Sequence, residues 1–217
     1  FKGTRVEVDT IYLTKEDLAK IQKTDLTKMS LGHTWARDIF MVGVWTAQRV
    51  SDYNNISRDD IQSYQMRSIV DEPDPQNPGK TIARIVTSDV TVINIRQKKT
   101  GAKVTVPCSP DLKRILEKYD YQLPKGISDV IINRYIKDIC KELSKTTPSL
   151  NEYMETILTL PEIRAEKAGR MTFERNEEGK VIKHRYECIT THTARRSGIT
   201  NMYKSRMFST LQMMSIS

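Results

Sequence analysis

The sequence predicts a mainly α-helical domain with a small antiparallel β-sheet. Three observations carry that reading. Apolar residues recur at helical spacing, as in Ile132, Ile136, Ile139 and Leu143. Between about 81 and 106 the pattern changes to β-branched residues alternating with polar ones, interrupted by Lys98-Lys99-Thr100-Gly101. The 217 residues are 38% hydrophobic and 29% charged, enough apolar surface to build a real core.

The elements follow in order. Residues 1–13 read as extended, with Val6, Val8, Ile11 and Leu13 and few helix formers. They are expected to be the end of an interdomain linker, in a domain cut from a longer protein, because the chain opens without Met. Residues 14–217 form the domain proper. Thr14 caps the first helix, Glu16 and Asp17 sit at its positive end, and Leu18 and Ile21 form its apolar face. A second helix is expected from about Thr34 to Gln48. Trp35, Ile39, Phe40, Val42 and Val44 give it a broad apolar face that must be buried.

Residues 62–70 are ambiguous, although Ile69-Val70 could end a strand. The three prolines of 71–79 mark a loop. A hairpin then pairs Val92–Ile95 with Val104–Val106 around the 98–101 turn. Helices return over Asp111–Lys118, from Ser128 or Asp129 to Leu143, and over Asn151–Leu160 after a break at Pro148. Met171–Arg175 and Val181–Tyr186 read as a second hairpin. Thr190 or Thr191 opens another helix, and a last one is expected from about Ser209.

Composition narrows the partners. A net charge of +8 favours polyanions, nucleic acid first. No apolar run approaches the roughly 18 residues of a membrane span, and the N-terminus lacks the apolar block of a signal peptide. The three cysteines are far apart with no CxxC, so packed thiols in a reducing cytoplasm are expected rather than disulfides or zinc. No tight Asp/Glu/His cluster has metal-ligand spacing, and no Gly-rich phosphate loop is present.

Chemistry concentrates in three places. Thr191-His192-Thr193-Ala194-Arg195-Arg196-Ser197 puts His192 and Arg195 on one face of a helix start. An arginine fork and an imidazole aimed at one point suit a phosphate. Thr46-Ala47-Gln48-Arg49-Val50-Ser51-Asp52 closes the second helix, with Arg49 three residues before Asp52. That pair is either a structural ion pair or an arginine held in one orientation for a phosphate. Lys99 lies in the hairpin turn, where a lysine ordinarily aids solubility but can also reach a DNA groove and give up a proton.

The order of these pieces, TxxRxSD, then KTG, then HxxR, resembles the catalytic domain of the tyrosine recombinases, the phage-integrase family. Tyr12-Leu13-Thr14-Lys15-Glu16-Asp17-Leu18 is similar to that family's opening helix after its linker. Val104-Thr105-Val106-Pro107 resembles the strand ending in proline after its lysine hairpin. Ile132-Asn133-Arg134-Tyr135-Ile136-Lys137, together with the HxxR segment, resembles the integrases of Bacteroides-type mobile elements. The likeness covers nearly the whole chain.

The resemblance implies a site-specific DNA recombinase acting through a 3′-phosphotyrosyl intermediate. Arg49 and Arg195 would clamp the scissile phosphate, and Lys99 would protonate the leaving 5′-oxygen. His192 would assist proton transfer, and Asp52 would support Arg49. No metal and no cofactor are implied, because two arginines and a lysine supply the charge. Lys98, Lys103 and Arg196 are further candidates for DNA contact, equally explained as a solvated basic face. Double-stranded DNA is the implied partner, in the bacterial cytoplasm and without a membrane. The full-length parent is expected to form a homotetramer on two DNA sites, and this piece to be monomeric.

Two departures stand out. Ala47 replaces the family's usual glycine, a difference of one methyl group. The family also places a Gly-His-type turn roughly 20–25 residues after the HxxR arginine, and its nucleophilic tyrosine about nine further on. This chain runs 22 residues past Arg195, and Tyr203 on the same helix is expected to pack in the core. The expectation is a domain without its nucleophile, binding DNA but unable to cleave it. Three alternatives remain: a type IB topoisomerase-like enzyme, a non-catalytic DNA-binding relative, and a His/Lys phosphodiesterase.

Overall fold

The computed structural model describes residues 11–125, 127–206, 209, 212 and 213. Of the expected linker segment, residues 1–10 lie outside them. Residues 11–13 are irregular, with Ile11 and Leu13 buried. Thr14 then starts helix α1 (Lys15–Lys23) through a reciprocal capping box with Asp17, which satisfies two backbone N–H groups at the helix start.

Helix α2 (Leu31–Thr46) is the centre of the fold. Ile39, Phe40, Met41, Val42 and Val44 are all buried, so the helix is apolar around most of its circumference. Each such side chain contributes on the order of 1.5–3 kcal/mol by leaving water. The helix packs chiefly on α5 (Asp129–Ser144) and α8 (Thr191–Ser205), with α1 and α4 (Pro110–Lys118) against it. The buried Asp38 on α2 accepts from Lys118 Nζ at 2.6 Å and Tyr119 Oη at 2.7 Å, fixing the end of α4.

The second helix ends two residues earlier than the sequence suggests. Ala47 takes a left-handed conformation (φ 55°), and Arg49 stands as the N-cap of a separate short helix, α3 (Val50–Tyr53). Arg49 therefore does not close the long helix. It sits in the corner between two helices.

A three-stranded antiparallel sheet follows, in the order β1 (Ile61–Pro73), β2 (Thr81–Arg96), β3 (Lys103–Pro107). Residues 62–70, ambiguous in sequence, are strand, and they pair with β2 along the whole of β1. The turn-rich loop expected over 71–79 begins only after Pro73. The β2–β3 hairpin has its turn where the lysines stand, with Val104 opposite Ile95 and Val106 opposite Ile93.

Downstream, two expectations are corrected. Residues 151–160 are not one helix: α6 (Pro148–Asn151) gives way to β4 (Tyr153–Glu155), and α7 (Leu160–Lys167) begins where the expected helix ends. Pro161 and the capping residue Thr159, bonded to Glu162, set that later start. The second hairpin shrinks to a single bridge, Arg175 with Val181, because β5 (Ile182–His184) pairs with β4 instead. Of the helix expected from Ser209, Gln212 and Met213 are helical and the other positions past 209 lie outside the described residues.

The entry segment is stitched to α8. Leu13 N–H donates to Ser197 Oγ at 2.8 Å, and Asn201 Nδ2 donates to the Leu13 carbonyl at 2.9 Å. Arg196 Nη1 donates to the Ile11 carbonyl at 3.1 Å. No described helix is long and apolar enough to cross a membrane.

Candidate phosphate-binding site

The site is built where the end of α2, the start of α8 and the β2–β3 turn meet. Gly198 makes the first of these contacts possible. A β-carbon there would stand 2.2 Å from the Val44 carbonyl oxygen, so α8 lies against the last turn of α2 backbone to backbone. This close approach carries Arg195, one turn earlier on α8, to the corner that holds Arg49. Asn133 on α5 fixes the start of the same helix, its Oδ1 accepting the Thr191 N–H at 2.8 Å. That bond satisfies one of the donors a helix start leaves open.

The hairpin turn is tied to the same corner at two points. Gln97 Nε2 donates to Gln48 Oε1 at 2.9 Å, both side chains being buried. The Lys98 N–H donates to Asp52 Oδ1 at 3.0 Å. These bonds reach residues 48 and 52, on either side of Arg49, from positions 97 and 98, beside Lys99. Thr100 Oγ1 donates to Gln97 Oε1 at 2.7 Å and the Gly101 N–H to the Gln97 carbonyl at 2.8 Å, so the turn is internally braced.

Asp52 is buried, and its hydrogen bonds go to the hairpin and to Ser51. Its Oδ1 accepts from the Lys98 backbone and from Ser51 Oγ, and among the described residues it forms no hydrogen bond with Arg49. Arg49 Nη1 and Asp52 Oδ2 are both buried without a hydrogen-bond partner among the described residues. A buried polar atom left unpaired costs about 1–3 kcal/mol, more for a charged group. Burial pushes the Arg195 guanidinium below the ordinary arginine value. The nearby Arg49 charge pushes the same way, and the Asp52 carboxylate opposes. Two half-buried cations thus share one place with one carboxylate whose Oδ1 is committed to the hairpin backbone. An arriving anion would offset the repulsion between the two guanidinium groups.

The structure brings Arg49, Asp52 and Arg195 into electrostatic contact, with Lys98 and Lys99 in the turn anchored beside them. His192 is exposed in the first turn of α8, three residues before Arg195, at the helix end whose dipole favours negative charge. Lys99 is exposed on the turn. Lys103 is exposed opposite Arg96, in the pair that flanks the turn. Arg196 is not brought to the site: its guanidinium holds the Ile11 carbonyl. Tyr203, expected in the core, is 66% exposed. An apolar cavity of ≈ 530 Å³ lined by Leu18, Val44, Trp45, Pro107 and Met202 holds neither Arg49 nor Arg195 and is a separate feature.

Sequence reasoning missed Gln48, Gln97, Asn133 and Gly198 as positioning residues. Gln48 and Gln97 each stand directly beside a candidate group. That adjacency was the available signal. Gly198 gave none, because a glycine inside a helical pattern reads as a weak spot until the neighbouring backbone is seen.

The chain matches no protein-family profile and no curated protein sequence. Among solved structures it is similar to the XerH site-specific recombinase bound to difH substrate in a pre-cleavage complex. That likeness covers 100% of this chain and 49% of the other, with a TM-score of 0.50 and 14% identity. The chain thus spans about half the length of that recombinase. The lambda integrase catalytic core is a more distant neighbour, at TM-score 0.45 and 16% identity over 94% of this chain and 90% of that one. The long central helix, the lysine hairpin and the late helix that opens with HxxR together give this chain the tyrosine recombinase catalytic-domain fold.

Proposed function

We propose that this domain serves site-specific DNA recombination, breaking and rejoining DNA through a 3′-phosphotyrosyl intermediate during insertion or excision of a mobile element in a bacterial cytoplasm. The observation that carries the reading is the convergence of Arg49 and Arg195, two like charges held close together in a half-buried corner, beside a lysine turn tethered to Asp52. In this reading the two arginines hold the non-bridging oxygens of the scissile phosphate and stabilise the extra charge of five-coordinate phosphorus. As a tyrosine oxygen bonds to phosphorus, the bond to the 5′-oxygen breaks, and Lys99 gives that oxygen its proton. His192 assists proton transfer at the nucleophile. Asp52 acts by locking the hairpin, and with it Lys99, onto the arginine corner. The XerH neighbour is bound to its difH substrate, which supports duplex DNA as this chain's partner. Strand exchange would use four such domains on two DNA sites.

The same reading holds that these 217 residues lack a tyrosine suited to the attack. Past Arg195 they contain Tyr203, eight residues on and facing solvent. The test is duplex binding together with a search for a covalent adduct on a nicked suicide substrate. Duplex should bind in a salt-sensitive way, Arg49→Ala and Arg195→Ala should each weaken binding about tenfold, and no adduct should form. Binding unaffected by either substitution, or mononucleotide competing as well as duplex, would overturn the recombinase reading. A denaturation-resistant adduct would overturn the missing nucleophile.

A further inference from the structure

Beyond the body of the domain, β1 and β2 continue together as a two-stranded arm. The register pairs Gln62 with Val92 and runs without a bulge to Pro73 with Thr81. From Thr91 to Thr81 this is roughly 34 Å of ribbon at 3.4 Å per residue. Every residue from Gln62 to Arg67 is exposed, as is every residue from Thr81 to Ile85. Among the described residues no third layer covers the arm there. A two-stranded ribbon of this kind is marginal in water and gains independent stability from further strands or a packed face. In the order β1-β2-β3, β1 is an edge, so a row of backbone donors and acceptors faces outward along it.

Charge argues against nucleic acid as the occupant. Between Gln62 and Val92 three basic side chains stand against four acidic ones, while the whole chain carries +8. The arm is a slightly acidic extension of a basic domain. Its most exposed large apolar residues are Ile69 (73%) and Ile85 (69%), which stand opposite each other in the ladder. Arg67 and Asp71 share that face of β1, two residues to either side of Ile69. Among the described residues neither forms a salt bridge, although Glu72 and Arg84 on the other face do.

We infer that the outer edge of β1 is a self-association surface, which pairs antiparallel with β1 of a second copy about a two-fold axis at Ile69. In that register Arg67 of each copy stands opposite Asp71 of the other, twice over by symmetry. Ile85, Ile69 and their two symmetry mates form one row across a four-stranded β2-β1-β1-β2 sheet. Opposite charges directly across an antiparallel pair stabilise it, and like charges oppose it. The arrangement is isologous, as closed dimers require. It does not depend on what the arginine corner acts on.

The test is sedimentation velocity of the whole chain without DNA, over a range of concentrations. The unmodified protein should dimerise reversibly, against the monomer that the family resemblance implies for this piece. Arg67→Asp and Asp71→Arg should each weaken dimerisation at least tenfold, since each sets like charges face to face. An equimolar mixture of the two variants should recover it, because every 67–71 contact in the mixed pair is then between opposite charges. Both positions are solvent-facing, so unchanged melting curves will certify that the variants are folded. Three results would each overturn the inference: a monomer at every soluble concentration, variants that dimerise as the parent does, or a mixture that fails to recover. Arm variants that lower duplex affinity while leaving self-association intact would instead assign the arm to DNA.

Discussion

A β-carbon on Gly198 would stand 2.2 Å from the Val44 carbonyl oxygen, and that oxygen belongs to a helix backbone that cannot swing aside. Gly198→Ala should therefore cost about 1–3 kcal/mol, the usual range for forcing a methyl into a packed contact. The loss will be read as a lower urea midpoint at unchanged slope. Because Arg195 rides on the same helix, phosphate or duplex affinity should fall too. A variant with native stability and native affinity would mean that α8 does not approach α2 as described. Ala47 shows the opposite balance. Its left-handed backbone costs roughly 1–2 kcal/mol against glycine. The buried methyl returns about 0.8 kcal/mol, and the stiffer unfolded chain a further 0.4–1. The terms nearly cancel, which explains why alanine is tolerated where the resemblance calls for glycine. The substitution itself was legible in the sequence. The positive φ that gives it meaning was not, since alanine carries no turn signal.

At the scale of elements, legibility followed burial. Helix α5 was readable almost to the residue, because Ile132, Ile136 and Ile139 are buried at helical spacing and Ser128 caps its start. The outer part of β1 was not, because exposure on both faces removes the alternation that marks a strand. The helix expected over 151–160 failed for a related reason: Tyr153–Glu155 pair with a strand some 30 residues away, and propensity has no view of that partner. The lysine hairpin was read correctly as an element, but its anchoring was not, since the bond from Gln97 to Gln48 spans 49 positions. Removing that anchor gives a measurable outcome. Gln97→Ala leaves Gln48 buried without its hairpin partner and should cost about 1–3 kcal/mol. Hydrogen exchange should quicken at the Gly101 and Lys98 amides, which the braced turn now protects. If exchange there is unchanged while global stability falls, the glutamine pair serves the core and does not hold the turn.

At the scale of the molecule, the residue types of the site could be read because each stands in a short motif, yet their meeting depends on packing that no motif states. Arg49 and Arg195 are 146 positions apart and meet because α8 crosses the end of α2. The domain spends stability to keep the two guanidinium groups together in a half-buried corner, and a bound dianion should return it. Inorganic phosphate at one hundred times its dissociation constant stabilises a single-site protein by about 2.7 kcal/mol. For a domain of this size each kcal/mol raises the melting temperature by roughly 2–4 °C, so a rise of about 5–10 °C is expected. Phosphate also strengthens folded proteins non-specifically, so the comparison must be with a variant in the same buffer. Arg49→Met keeps an unbranched apolar stem, removes one of the two like charges and removes a buried unpaired donor. Without phosphate it should melt at or above the parent's temperature, as substitutions that relieve a functional site often do. With phosphate it should gain markedly less than the parent, because half the clamp is gone. Equal gains would show that phosphate acts through the solvent and that the corner does not bind it. A variant that melts well below the parent without phosphate would show that Arg49 is held by contacts that support the fold.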